Sequence, residues 1–264
     1  MRLVMDKRFA RHFDACNNAR LPGGRLAFAI GPAQVGWVRP EVAAALADVP
    51  GMKVGKRRAT LATDAAGDLP AIGRALADRG LCRWRGEAFD VRADGFGPVL
   101  ATLDRGALPV FGVLASGVHV NGLVRRPDGL HLWVARRSAA KALDPGKLDH
   151  LAAGGIPAGL TPWQALAKEA AEEAGVPASL AETATEAALI SYAMERPEGL
   201  RRDWLFCYDL FLPEAFTPHA ADGEVESFEL WPLERVRASV LETDDFKFNV
   251  NLVLVDLFRR LGMA

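Results

Sequence analysis

Residues 154–176 run GGIPAGLTPWQALAKEAAEEAGV. Within them, Thr161-Pro162-Trp163-Gln164 has the form of a capping box with proline at the first helical position. The Thr161 hydroxyl is placed to accept from the backbone N–H of Gln164, whose side chain can reach back. Gly175 and Pro177 mark the other end of the helix. At about 100° per residue, Trp163, Leu166, Ala167, Ala170, Ala171 and Ala174 share one arc, which must face a sheet or another helix.

Glu169, Glu172 and Glu173 fall on roughly the opposite side of that helix. Their spacing gathers three carboxylates, and each like-charge pair costs about 0.2–0.5 kcal/mol. The last two also sit in the final turn, where the helix dipole disfavours negative charge. Only Lys168 offsets this locally. A solvated acidic face is the ordinary reading of such a cluster. The alternative is a bound divalent cation, because carboxylate oxygens on a fixed face suit Mg²⁺ or Mn²⁺, with substrate phosphate oxygens completing the shell.

The segment resembles the Nudix box: Gly, five residues, Glu, seven residues, Arg-Glu, an aliphatic residue, any residue, Glu-Glu, any residue, Gly, aliphatic. Gly154, Glu169, Ala170, Glu172, Glu173, Gly175 and Val176 match in register. Leu160 stands where the pattern has Glu and Lys168 where it has Arg. Lysine keeps the charge without the forked donor geometry. The resemblance implies an α/β (α+β) chain with a Nudix α/β/α sandwich and a mixed sheet. It implies a hydrolase of a diphosphate linked to another moiety, with Glu169, Glu172, Glu173 and the Gly154 carbonyl as ligands to Mg²⁺ or Mn²⁺. The base that removes a proton from the attacking water is then Glu169 or Glu224, with Glu226 behind them. The latter two come from DGEVESFELW, an acidic loop entering the last strand.

The surrounding pattern fits. Residues 117–123 and 130–136 are β-rich runs joined by Pro127-Asp128-Gly129, a hairpin signal. Residues 148–152 read as a strand, 154–159 as a glycine loop, and 187–194, 204–212 and 226–231 as strands. Arg201-Arg202 reads as the turn between two of them. Residues 233–241 and 248–261 read as closing helices. The earlier part reads as mixed α/β, with strands at 25–30 and 35–38 and helices at 40–49 and 69–79. Its charge differs too: residues 1–118 carry 17 Lys and Arg against 11 Asp and Glu, whereas residues 119–264 carry 15 against 22. We expect a smaller N-terminal α/β accessory domain over 1–112 and the Nudix domain over 113–264.

Val35-Gly36-Trp37-Val38-Arg39-Pro40, followed by an alanine-rich helix, is similar to the region preceding the Nudix domain in proteins related to thiamin pyrophosphokinase fusions. GKLDHLAAGGIPAGL is similar to the same group. That resemblance implies thiamin diphosphate or its oxidised and damaged analogues as substrates, released as the monophosphate and phosphate. Trp37 is the expected stacking surface, with Trp84, Trp133 and Trp204 as others. Arg136 and Arg202, with Arg137 and Arg201, are expected to meet anionic groups.

The formal charge of −1 gives no reason to expect nucleic acid or a membrane surface as partner. No run approaches the roughly 18 apolar residues of a spanning helix. The N-terminus lacks a signal-peptide core and the three cysteines lack metal-ligand spacing, so the expectation is a cytoplasmic protein, monomer or homodimer, with a small-molecule diphosphate substrate. No Gly-x-Ser-x-Gly elbow or phosphate-binding Gly-Lys-Ser/Thr loop is present. Three alternatives stay open: a nucleoside-diphosphate-type hydrolase, a non-catalytic binding module on the same fold, and an isomerase using Cys207.

Overall fold

The computed structural model describes residues 6–140, 143–220 and 223–264. After a short first helix, α1 (Ala10–Cys16), β1 (Leu26–Ile30) and β2 (Ala33–Val38) form a tight antiparallel pair. Pro40 then starts α2 (Pro40–Leu46), where a missing N–H is harmless. Next come β3 (Met52–Val54), β4 (Arg58–Leu61) and α3 (Leu69–Asp78). They are followed by β5 (Ala88–Val91), β6 (Ala101–Asp104) and α4 (Leu108–Phe111). The first four strands make one sheet, in the order β2-β1-β4-β3, and β5 pairs only with β6. One apolar core, from Leu26 to Val113, holds these elements together. Gly112 caps α4 with φ 55°, a left-handed conformation, and a Cβ there would meet the Trp37 carbonyl at 2.5 Å.

The rest is a sandwich. Its elements are β7 (Leu114–Arg126), β8 (Gly129–Arg137), β9 (Leu148–Asp149), β10 (Ala152–Gly155), α5 (Pro162–Ala174), α6 (Ala178–Ala181), β11 (Thr185–Arg196), β12 (Gly199–Phe211), β13 (Val225–Pro232), α7 (Leu233–Glu242) and α8 (Val250–Arg260). Five strands run in the order β11-β12-β7-β8-β13. The sheet is mixed, as expected, because β12 lies parallel to β7 over Leu114–Leu123 while the other pairs are antiparallel. The long β7 is shared: its first half pairs with β10 and its last residues with β8. Helix α5 covers one face through Leu166, Ala170 and Ala174, packed on Val118, Val120 and Tyr208. Each fully buried leucine contributes roughly 1.5–3 kcal/mol. Helices α7 and α8 cover the other face, and Phe9, just before α1, joins their core with its ring 5.9 Å from Phe258. The first helix therefore packs with the last two rather than with the strands that follow it. Among the described residues no helix is long and apolar enough to cross a membrane.

Three local expectations change. Gly154 and Gly155 are not loop but the end of β10, so the box glycine is held by backbone pairing to β7. The expected strand over 148–152 is two short strands that pair with different neighbours. Arg201 and Arg202 lie inside β12, because β11 and β12 extend to a tight turn at Pro197 and Glu198.

Candidate active site

Helix α5 starts as its sequence requires. Gln164 N donates to Thr161 Oγ1 at 3.2 Å, and Thr161 N donates to Gln164 Oε1 at 2.9 Å. Gly175, with φ 63°, ends it. The buried face is rotated from the expected arc towards the carboxylates. Trp163 remains 37% exposed, edge-on to Tyr208, and Ala171 is exposed, whereas Glu173 is buried. A buried glutamate needs a partner, and Glu173 Oε2 accepts the Ala153 N–H at 2.8 Å, tying α5 to β10.

The three glutamates are thus not equivalent. Glu169 is half-buried and Glu172 exposed, and both face the same cavity. Lys168 Nζ donates to Glu169 Oε1 at 3.1 Å and to Glu172 Oε2 at 2.6 Å. Burial opposes the lysine's charge, but these two hydrogen bonds win and push its pKa up to about 12. Burial pushes the Glu169 carboxyl up despite the Lys168 ammonium. Gly154 lies directly beside Glu169, where a Cβ would meet the carboxylate. Two cavity-facing carboxylates, a carbonyl-bearing glycine strand and a third carboxylate behind them form an all-oxygen donor set. That set fits a hard divalent cation such as Mg²⁺ or Mn²⁺.

The cavity encloses about 910 Å³ and is lined by both parts of the chain. Gly154, Glu169, Glu172 and Glu224 line it together with Arg83, Arg85, Phe89 and Arg105. Arg202 also lines it. Its Nη1 donates to the Gly112 carbonyl at 3.2 Å, and burial lowers its pKa. Trp37 lies half-buried in β2 against Gly112, outside the lining. Arg136 also lies outside it and donates to the Gly146 carbonyl at 3.0 Å. Neither Trp84, Trp133 nor Trp204 reaches the cavity. Its aromatic surface is Phe89, which packs over Gly155. Cys207 is buried, its thiol pKa raised chiefly by desolvation, and it is not part of the lining. The isomerase alternative therefore lacks its thiol at this site.

Sequence reasoning missed a buried polar floor. His119 of β7 and His150 meet Nδ1 to Nδ1 at 2.9 Å, brought together by the β7–β10 pairing. Burial keeps both neutral, lowering His150 to about 4 and His119 well below the ordinary value. With Asp149 they could geometrically surround a cation, one ligand atom of each lying within 4.8 Å of the others. The charges argue otherwise. Asp149 accepts from Arg137 at 2.8 Å and from Lys247 at 3.4 Å. Burial would raise its pKa, but Lys247 and Arg137 hold it well below the usual carboxylate range. No sequence spacing signals this cluster, since residues 119 and 150 are joined only through the sheet.

Residues 115–252 match the NUDIX domain family. Nudix hydrolase 20, chloroplastic, of Arabidopsis thaliana is 43% identical over 188 residues, covering 71% of this chain and 50% of that protein. Nudix hydrolase 24, chloroplastic, of the same plant is 42% identical over 179 residues, covering 68% and 49%. An uncharacterised protein of Saccharomyces cerevisiae is 33% identical over 199 residues, covering 69% and 57%. The chain spans about half the length of the two plant relatives. Their names overturn the expectation of a cytoplasmic protein, because both are chloroplastic. The family match runs from β7 into α8 and encloses every glutamate of the cavity's acidic end, so this chain belongs to the Nudix family.

Proposed function

We propose that the protein is a divalent-cation-dependent hydrolase of a diphosphate linkage, acting on thiamin diphosphate or its oxidised or otherwise damaged analogues. The products are the monophosphate and inorganic phosphate. The observation that carries this reading is the meeting of Glu169, Glu172 and Gly154 with several arginines around one cavity.

In this reading Glu169 and Glu172, with the Gly154 carbonyl, hold Mg²⁺ or Mn²⁺. Glu173 acts from behind by fixing β10 through the Ala153 N–H. A bound cation would supply charge neutralisation on the diphosphate and a lowered pKa for the attacking water. Glu169 or Glu224 removes the water's proton. Both line the cavity, and burial raises the pKa of Glu169. Arg202 meets an anionic oxygen of the substrate, its guanidinium being held in place by one backbone carbonyl. Lys168 takes the place of the box arginine and holds Glu169 and Glu172 together from one side. In the same reading an accessory part ends near residue 112, which is supported by the first apolar core running to Val113 and β7 starting at Leu114.

The test is phosphate and monophosphate release, with Mg²⁺ and with EDTA, across a panel of thiamin diphosphate, its oxidised analogues, nucleoside di- and triphosphates and ADP-ribose. Cation-dependent release confined to thiamin-type diphosphates is the expected result. Release from nucleotides alone would keep the hydrolase and remove the thiamin assignment. Tight binding without release would leave only a binding module.

A further inference from the structure

The buried carboxylate of Asp104, at the end of β6, lies close to arginines yet forms no ion pair among the described residues. Its Oδ1 accepts the backbone N–H groups of Arg85 at 2.9 Å and Gly106 at 2.8 Å. Its Oδ2 accepts those of Gly86 at 2.7 Å and Glu87 at 3.1 Å. A carboxylate has about four lone-pair sites, and main-chain donors take them all. Asp104 therefore fixes the backbone of residues 85–87 and, among the described residues, forms no hydrogen bond or ion pair with the guanidiniums of Arg83 and Arg85.

Those guanidiniums line the cavity. Arg105 is paired with Glu87 at 2.8 Å and Arg201 with Asp203 at 3.2 Å. Arg83 and Arg85 have no carboxylate within ion-pair distance among the described residues, and Arg202 has only the Gly112 carbonyl. Partial desolvation depresses the pKa of Arg85; Arg105, Arg83 and Arg201 add to the effect and the Asp104 carboxylate opposes it, so the guanidiniums are close enough to repel one another. Like charges held together by a fixed backbone are relieved by an anion between them.

We propose that Arg83 and Arg85, presented by the Asp104-anchored segment and joined by Arg202, form an anion subsite that takes a phosphoryl group of the ligand without the help of a cation. The fork of each guanidinium matches two phosphate oxygens. The identity of the ligand rests on the diphosphate reading above; the subsite itself rests on the guanidiniums left without carboxylates. It is the contribution of the accessory part of the chain to a cavity whose acidic end belongs to the Nudix sandwich.

The experiment is calorimetric titration of the full chain with inorganic pyrophosphate in EDTA, for wild type, for Arg83→Ala combined with Arg85→Ala, for Arg85→Lys, and for Glu172→Gln. Wild type is expected to bind, more weakly as salt is raised. The double variant should lose about tenfold or more, Arg85→Lys a smaller part of that, and Glu172→Gln should bind no more weakly than wild type, because in EDTA it removes only a repelling carboxylate from the same cavity. Both arginines are exposed, and an unchanged melting temperature will show that the variants remain folded. Failure of wild type to bind pyrophosphate in EDTA, or equal binding by the double variant, would overturn the subsite. Absence of cation-dependent release from every diphosphate, with this binding pattern intact, would remove the hydrolase reading and leave the subsite standing.

Discussion

Gly154 and Glu169 share a space that only one of them can fill: a Cβ on Gly154 would lie 2.1 Å from Glu169 Oε2 and 2.7 Å from its Cγ. The side chain of the helix rests on the bare backbone of the strand. Gly154→Ala should therefore push the carboxylate aside rather than unfold the chain. We expect Mg²⁺ affinity and kcat to fall by about tenfold or more, since misplacement of about 1 Å is enough to cost that much. Calorimetry and turnover will measure it, and wild-type values in the variant would refute the contact's role.

Glu172 is exposed and, among the described residues, is paired with Lys168 at 2.6 Å and no other, so its removal should leave stability nearly intact. Glu172→Gln is expected to lower kcat about 10²-fold or more, as when a metal-assisted step loses a ligand. A folded variant with unchanged kcat would remove Glu172 from the site.

Glu173 should behave differently. Its buried oxygen satisfies the Ala153 N–H, and Glu173→Ala leaves that donor without its partner. The expected loss is about 1–3 kcal/mol in unfolding free energy, read from denaturant titration. No loss of stability would mean that the link between α5 and β10 is dispensable.

The buried imidazoles predict an acid-sensitive fold. Burial lowers the pKa of His150 to about 4 and holds that of His119 well below its ordinary value, so below about pH 6.5 the unfolded state takes up protons first. Their contribution is fully present above that pH and is lost as the pH falls towards about 4. His150 alone accounts for about 3 kcal/mol over that window. Asp149, held low by Lys247 and Arg137 against the effect of burial, continues the loss below the ordinary carboxylate range. Urea unfolding at pH 7, 6, 5 and 4.5 will show the slope, and a flat profile would contradict neutral buried histidines.

Much of this was legible from short-range pattern. The capping box at Thr161 and Gln164, the hairpin turn at Pro127–Gly129 and the closing helices follow from local chemistry, and their positions agree to within a few residues. What local pattern could not supply was pairing. Gly154 reads as loop because glycine disfavours strands, yet the long β7 gives it a partner at Val118. Trp37 stood out because the family resemblance runs through it, but its backbone lies against Gly112 and it does not line the cavity, where the aromatic residue is Phe89. Arg83 and Arg85 gave no signal in the sequence, because the carboxylate that fixes the backbone at Arg85, Asp104, is about twenty residues on and bonds through main-chain amides. Residues 115–252 carry the family pattern. The arginines that face its site from outside that span are visible only once the chain is folded.

The anchoring of residues 85–87 by peptide N–H groups separates shape from identity in that segment. Any side chain at 85 inherits the same main-chain course, since the donors that set it are common to every residue except proline. The segment is thus an interchangeable cassette beside the acidic end of the cavity. Replacing Arg85 and the neighbouring Arg83 with neutral or acidic residues should shift the cavity's preference towards ligands of different charge while Asp104 keeps the scaffold as it is.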